Sequence, residues 1–124
     1  MSAYLDKALA EHCSPVLMGR KAAALFSLPH AYATGEAFEA ACSRDDLVMQ
    51  VLCGRSTHAL VIVYSPAMLS GTLSNALAQH TLLTLGYPVG GGLAAMLAHL
   101  RGRICSEGGF PHEVGFFLGY PPED

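Results

Sequence analysis

Apolar and polar positions change period along this chain, and the changes divide it into three stretches. In the first, Leu5, Ala8, Leu9 and Cys13 recur at helical spacing, which predicts a helix over residues 2–13. Ser14 suits an N-cap and Pro15 the first helical position. A second helix is therefore expected, with Leu17, Ala24, Leu25 and Leu28 as its apolar side and Pro29 as its stop. Residues 36–42 read as a third, shorter helix. The centre then changes character. Residues 47–53, LVMQVLC, and 58–64, HALVIVY, are short apolar runs separated by turn residues, and the second is rich in β-branched side chains. Together they read as an antiparallel hairpin. Both runs are almost continuously hydrophobic, so helices on both faces or strands of another chain are expected to cover them.

Helical spacing returns after the hairpin. Ser65-Pro66 is a start signal followed by Met68 and Leu69, and Thr72 or Ser74 is a candidate cap for a helix running to Leu85. That helix would turn Leu73, Leu77, His80 and Thr81 or Leu82 inward, and Gly86 would end it. Gly90–Gly92 leads into residues 93–104, where Leu93, Met96, Leu97 and Leu100 form a stripe. A last short helix is expected over residues 111–118, with Pro111 at its start, Glu113 facing the positive end of its dipole and Gly119 closing it. Helices, then a hairpin, then more helices predict an α+β fold: helices packed on a small antiparallel sheet, in one domain spanning residues 1–124.

Composition sharpens this picture. Of the 124 residues, 52% are hydrophobic and 14% charged, against roughly 25% charged in ordinary globular domains. Such a chain has apolar surface to spare, which favours a homo-oligomer or a protein partner. The net charge of −3 and the absence of any basic run argue against nucleic acid and against anionic membrane surfaces. The acidic, amphipathic start lacks the pattern of a signal peptide, and the longest aliphatic run is far too short to span a bilayer. A cytoplasmic location is expected. The four cysteines show no Cys-x-x-Cys pair, so they read as free thiols.

Three blocks carry a resemblance: His12-Cys13-Ser14-Pro15 with Gly19, Lys21 and Leu25-Phe26; Val63-Tyr64 with Pro66 and Leu69, running on to Gly86-Tyr87; and the closing FPHEVGFFLGYPPED. On these the chain resembles domain-of-unknown-function family 3793, of Firmicutes-type bacteria. The resemblance implies a cytoplasmic bacterial domain and supplies no activity or cofactor. It also implies a further helix and a cysteine-containing basic tail after the closing block, relative to which the chain reads as C-terminally shortened. Within the blocks, His12, Lys21, Tyr64, Tyr87 and Tyr120 are the candidate binding residues.

Two spots carry possible chemistry. Cys13, read as lying just before a helix N-terminus, would have its thiolate stabilised there, with His12 beside it and Lys21 on the next helix. The plainer reading is a buried thiol between two helices. His112-Glu113 at a helix start suits acid–base work or metal binding, although Phe116 breaks the His-Glu-x-x-His zinc pattern. Its plainer reading is a dipole partner beside a capping histidine. Cys13, His112 and Glu113 are thus the candidate catalytic residues, and His12, Cys13 and His112 the candidate metal ligands. Gly90-Gly91-Gly92 lacks the lysine and the preceding strand of a phosphate loop, and no Gly-x-Ser-x-Gly elbow is present. No cofactor motif is complete. The leading expectation is a non-enzymatic interaction module; the alternatives are a metal- or redox-linked protein using Cys13 with His12 or His112, and a small thiol-dependent enzyme.

Overall fold

The computed structural model describes residues 3–42, 44–107 and 111–118. The chain runs α1 (Ala3–Leu17), β1 (Ala23–Pro29), α2 (Gly35–Ala41), β2 (Val48–Gly54), β3 (His58–Tyr64), α3 (Pro66–Leu73), α4 (Ala76–Thr84), α5 (Leu93–Glu107) and α6 (Val114–Leu118), with 3-10 turns at His30–Tyr32 and Val89–Gly91. Among the described residues the sheet is antiparallel with the order β1-β3-β2. The fold is α+β, as the hydrophobic pattern predicts.

β3 is the middle strand, and its alternation sorts the core into two layers. Ala59, Val61 and Val63 meet Ala24, Phe26 and Leu28 of β1 on one face, beneath Leu5, Leu9, Cys13 and Val16 of α1 and Phe38 of α2. Leu60, Ile62 and Tyr64 point the other way, toward Leu69, Leu82, Leu97, Leu100, Ile104 and Phe117 of α3–α6. The near-continuous hydrophobicity of β3 thus reflects helices on both faces.

Two expectations for the first stretch are corrected. α1 does not stop at Cys13. It runs through Ser14 and Pro15, and Ser14 caps nothing: its carbonyl accepts the Met18 N–H at 3.0 Å. Pro15 removes one helical hydrogen bond in the last turns without ending the helix. The stop is Gly19, whose φ of +73° closes a Schellman pair, Arg20 N–H to the Pro15 carbonyl and Gly19 N–H to the Val16 carbonyl. The expected second helix is then β1. Ala24, Phe26 and Leu28 alternate with Ala23, Leu25 and Ser27, a period of two that a short apolar run conceals.

The later helices need smaller adjustments. Ser65 caps α3 and accepts the Met68 N–H at 3.2 Å. The cap of α4 is Asn75, not Thr72 or Ser74; its side chain accepts from Leu77 and Ala78. That phase turns Ala78 and Leu82 inward and leaves Leu77 and His80 exposed. Gly86, at φ +89°, ends α4 as expected, with Tyr87 N–H on the Leu82 carbonyl at 2.9 Å. α6 begins at Val114 after a turn at His112-Glu113; the expected closure at Gly119 lies outside the described residues. Among the described residues no helix is long and apolar enough to cross a membrane.

Candidate functional site

The two candidate spots lie on opposite faces of the sheet. Cys13 sits mid-helix in α1, 0% exposed, in the layer under α1 and α2. Burial, joined by the neighbouring Cys42, pushes its thiol up to about 12. The premise of a thiolate at a helix N-terminus is corrected, because α1 extends a full turn beyond Cys13. His12 points to the surface and stacks on Phe26 with 4.9 Å between ring centroids, and Lys21 is half-buried in the connection to β1. His112 is exposed and precedes α6, which packs in the other layer. Cys13 and His112 therefore do not converge, and the thiol-enzyme arrangement that needs them together is not formed. Among the described residues no group of three or more His, Cys, Asp or Glu side chains is arranged to hold a metal.

Glu113 is the candidate that acquires a structured environment. It is 3% exposed, and its Oε2 accepts the Tyr87 hydroxyl at 2.9 Å. Arg103 of α5 grips the same carboxylate through Nε on Oε2 and through Nη2 on Oε1 at 3.4 Å. Burial works against the charge on Glu113, but the backbone hydrogen bond, Arg103 and Tyr87 together outweigh it and hold the carboxyl below the usual glutamate range. Burial, joined by the Glu113 carboxylate, pushes the Tyr87 phenol well above its ordinary value. His99 lies against the Tyr87 ring, 4.3 Å between centroids, and Phe117 closes the other side at 5.9 Å. The carboxylate is thereby engaged on both oxygens, Oε2 by the phenol and the guanidinium and Oε1 by the guanidinium. It joins α5, α6 and the loop after α4, and so positions α6 rather than presenting a free acid or base.

Tyr64 ends β3, buried, and burial raises its phenol. Tyr120 lies outside the described residues. Sequence reasoning missed Arg103, and read His99 only as a lone histidine, partly buried or at the surface, which its half-buried place bears out. Their signal was available: they stand four apart, each one residue before Leu100 and Ile104 of the buried stripe, at the margin of an apolar face.

A groove of about 650 Å³ runs between α2 and the first half of β2. Phe38, Leu47 and Met49 form its apolar wall, and Glu36, Glu39 and Asp45 stand around it. The cation at the rim, Arg44, is engaged by Asp46 at 2.7 Å and by the Leu17 carbonyl. The local balance is therefore acidic. β2 is an edge strand, with Val48 38% exposed and Met49, Gln50 and Val51 half-buried.

Comparison with curated proteins and with solved structures returns no match. Residues 9–124 match the model of one family, described as protein of unknown function. Because that match runs over nearly the whole chain, the protein belongs to the DUF3793 family.

Proposed function

We propose that the protein is a non-enzymatic bacterial, cytoplasmic interaction module that takes an extended polypeptide segment of a partner protein along the outer edge of β2. The single observation carrying this reading is the groove beside that edge. An edge strand offers unpaired backbone groups that an added strand satisfies, and pockets beside it select alternate side chains. The apolar wall of Phe38, Leu47 and Met49 suits an apolar side chain. Glu36, Glu39 and Asp45, with Arg44 already engaged, suit a lysine or arginine two positions along. The acidic rim and the net charge of −3 favour a basic foreign segment over a second copy of this chain.

A display library of random heptapeptides tests the reading. Selected peptides should alternate apolar and basic residues. The surface double reversal Glu36→Lys with Glu39→Lys, and separately Val48→Lys, should each weaken them about tenfold or more. A library that yields nothing above background, or peptides that bind the variants equally well, removes the proposal. Light scattering decides the occupant: a dimer that Val48→Lys dissolves would make a second copy the partner instead.

A further inference from the structure

The four cysteines fall into two neighbouring pairs on opposite sides of the sheet. Cys42 lies near Cys13 in the layer under α1 and α2 and adds to the rise of the Cys13 pKa, and Cys13 is sealed from solvent. Cys53 and Cys105 are placed differently. Cys105 is exposed near the end of α5, and Cys53 is half-buried on β2. The Cys105 thiol donates to the Leu52 carbonyl at 3.0 Å and also interacts with the Cys53 thiol.

A bulge creates this pairing. β2 matches β3 as Val51↔Val61 and then Cys53↔Leu60, so Leu52 is the extra residue. Under strict alternation through Leu52, Cys53 would share the face of Val51, under α1. With the bulge, Leu52 and Cys53 in succession both face the layer of α5. The thiol of Cys53 thereby reaches the helix that carries Cys105. The hydrogen bond with Cys53, with desolvation and the Cys53 charge, raises the Cys105 pKa above its ordinary value, and the positive charges of Arg101 and Arg55 offset part of that rise.

We propose that Cys53 and Cys105 are a reactive dithiol, which a small-molecule disulfide oxidises to an intramolecular disulfide joining β2 to α5. The exposed Cys105 thiolate attacks one sulfur of the oxidant. The oxidant's S–S bond breaks, and one thiolate leaves and is protonated. Cys53, as thiolate, then attacks the Cys105 sulfur of the mixed disulfide and expels the second thiolate. Two protein thiols lose two protons and two electrons, and one disulfide molecule becomes two thiols. This proposal is independent of the polypeptide-binding reading.

The test incubates the reduced, full chain with oxidised glutathione and follows it by intact mass and non-reducing peptide mapping. The expected product is lighter by the mass of two hydrogen atoms and yields one cross-linked peptide pair, holding Cys53 and Cys105, while Cys13 stays free. Cys53→Ser should stop at a stable glutathione adduct on Cys105. Cys105→Ser, a change at an exposed side chain, should form neither adduct nor cross-link. Absence of reaction, a wild-type adduct that never closes, or a cross-link through Cys13 or Cys42 would overturn the proposal. Should Cys53→Ser fail to fold, the wild-type map and Cys105→Ser decide it.

Discussion

The hydroxyl of Tyr87 and the carboxylate of Glu113 meet at 2.9 Å, inside the layer that also buries Phe117. The residue pair is almost wholly excluded from water, and Arg103 supplies the charge that makes it tolerable. Breaking it from the acid side removes the carboxylate that both Tyr87 and Arg103 engage. Glu113→Ala deletes the charged acceptor of a buried phenol and the anionic partner of a half-buried guanidinium, and should lower unfolding stability by about 2–4 kcal/mol. Tyr87→Phe removes one neutral donor and should lower it by about 1 kcal/mol. Urea unfolding of the two variants and of their double mutant measures both terms and their coupling.

The same carboxylate gives the protein an acid limb. Glu113 ionises below its ordinary value in the folded state, so the folded protein holds fewer protons than the unfolded chain in that range. Its contribution is complete above the unfolded glutamate pKa and is lost as pH falls from there through the folded value. Glu113→Gln should flatten the dependence of stability on pH in that window and leave it unchanged near neutrality. Unfolding midpoints followed downward from neutral pH read this directly.

Cys13 sets the opposite limb. Its folded pKa is raised to about 12 from 9.0, so its contribution is complete below about 9 and is lost as pH rises toward about 12. In the native protein near pH 8 the thiol should resist iodoacetamide, whereas the exposed Cys105 should be labelled. Denaturant should equalise the two. Labelling of native Cys13 at the rate of Cys105 would contradict its placement in the sealed layer.

Gly86 isolates a backbone effect. Its φ of +89° suits glycine, yet a Cβ there would come no closer than 4.0 Å to His99 Cε1. Gly86→Ala therefore meets no steric obstacle and should destabilise by about 1–2 kcal/mol through backbone strain alone. Thermal unfolding should show the loss, with the Tyr87–Glu113 pair intact as judged by an unchanged acid limb.

Much of this architecture was legible in the residues. The strand over 58–64, the start signal at Ser65 and the glycine stop at Gly86 all follow from local chemistry. The helix–strand error at residues 23–29 has a physical cause. Leu17, Ala24, Leu25 and Leu28 satisfy helical spacing about as well as Ala24, Phe26 and Leu28 satisfy alternation. The tie is broken by Gly19 and by the pairing of residues 23–29 with β3, a long-range contact that local periodicity does not contain. The site divides in the same way. Glu113 was visible as an acid at a helix start, but its partners Arg103 and Tyr87 come from elements that only the tertiary fold assembles. The Cys53–Cys105 pair was invisible because it depends on a bulge at Leu52, which breaks the alternation that would have put Cys53 on the face of Val51.

The order β1-β3-β2 has a consequence for how the chain reaches this structure. β2 and β3 are neighbours in sequence and join through a short turn, where the Arg55 N–H bonds the His58 carbonyl at 2.7 Å. Their pairing closes a small loop and is entropically cheap. β1 must instead find β3 from the far side of α2 and the whole hairpin, with Pro29 opposite His58 at the nearer end. Closing that longer loop comes before most of the α1 layer has anything to pack on. The β2–β3 hairpin is accordingly the pairing within the sheet that closes most easily, and β1 joins it through the longer closure. Destabilising changes at Phe26 or Leu28 should then speed unfolding far more than they slow folding.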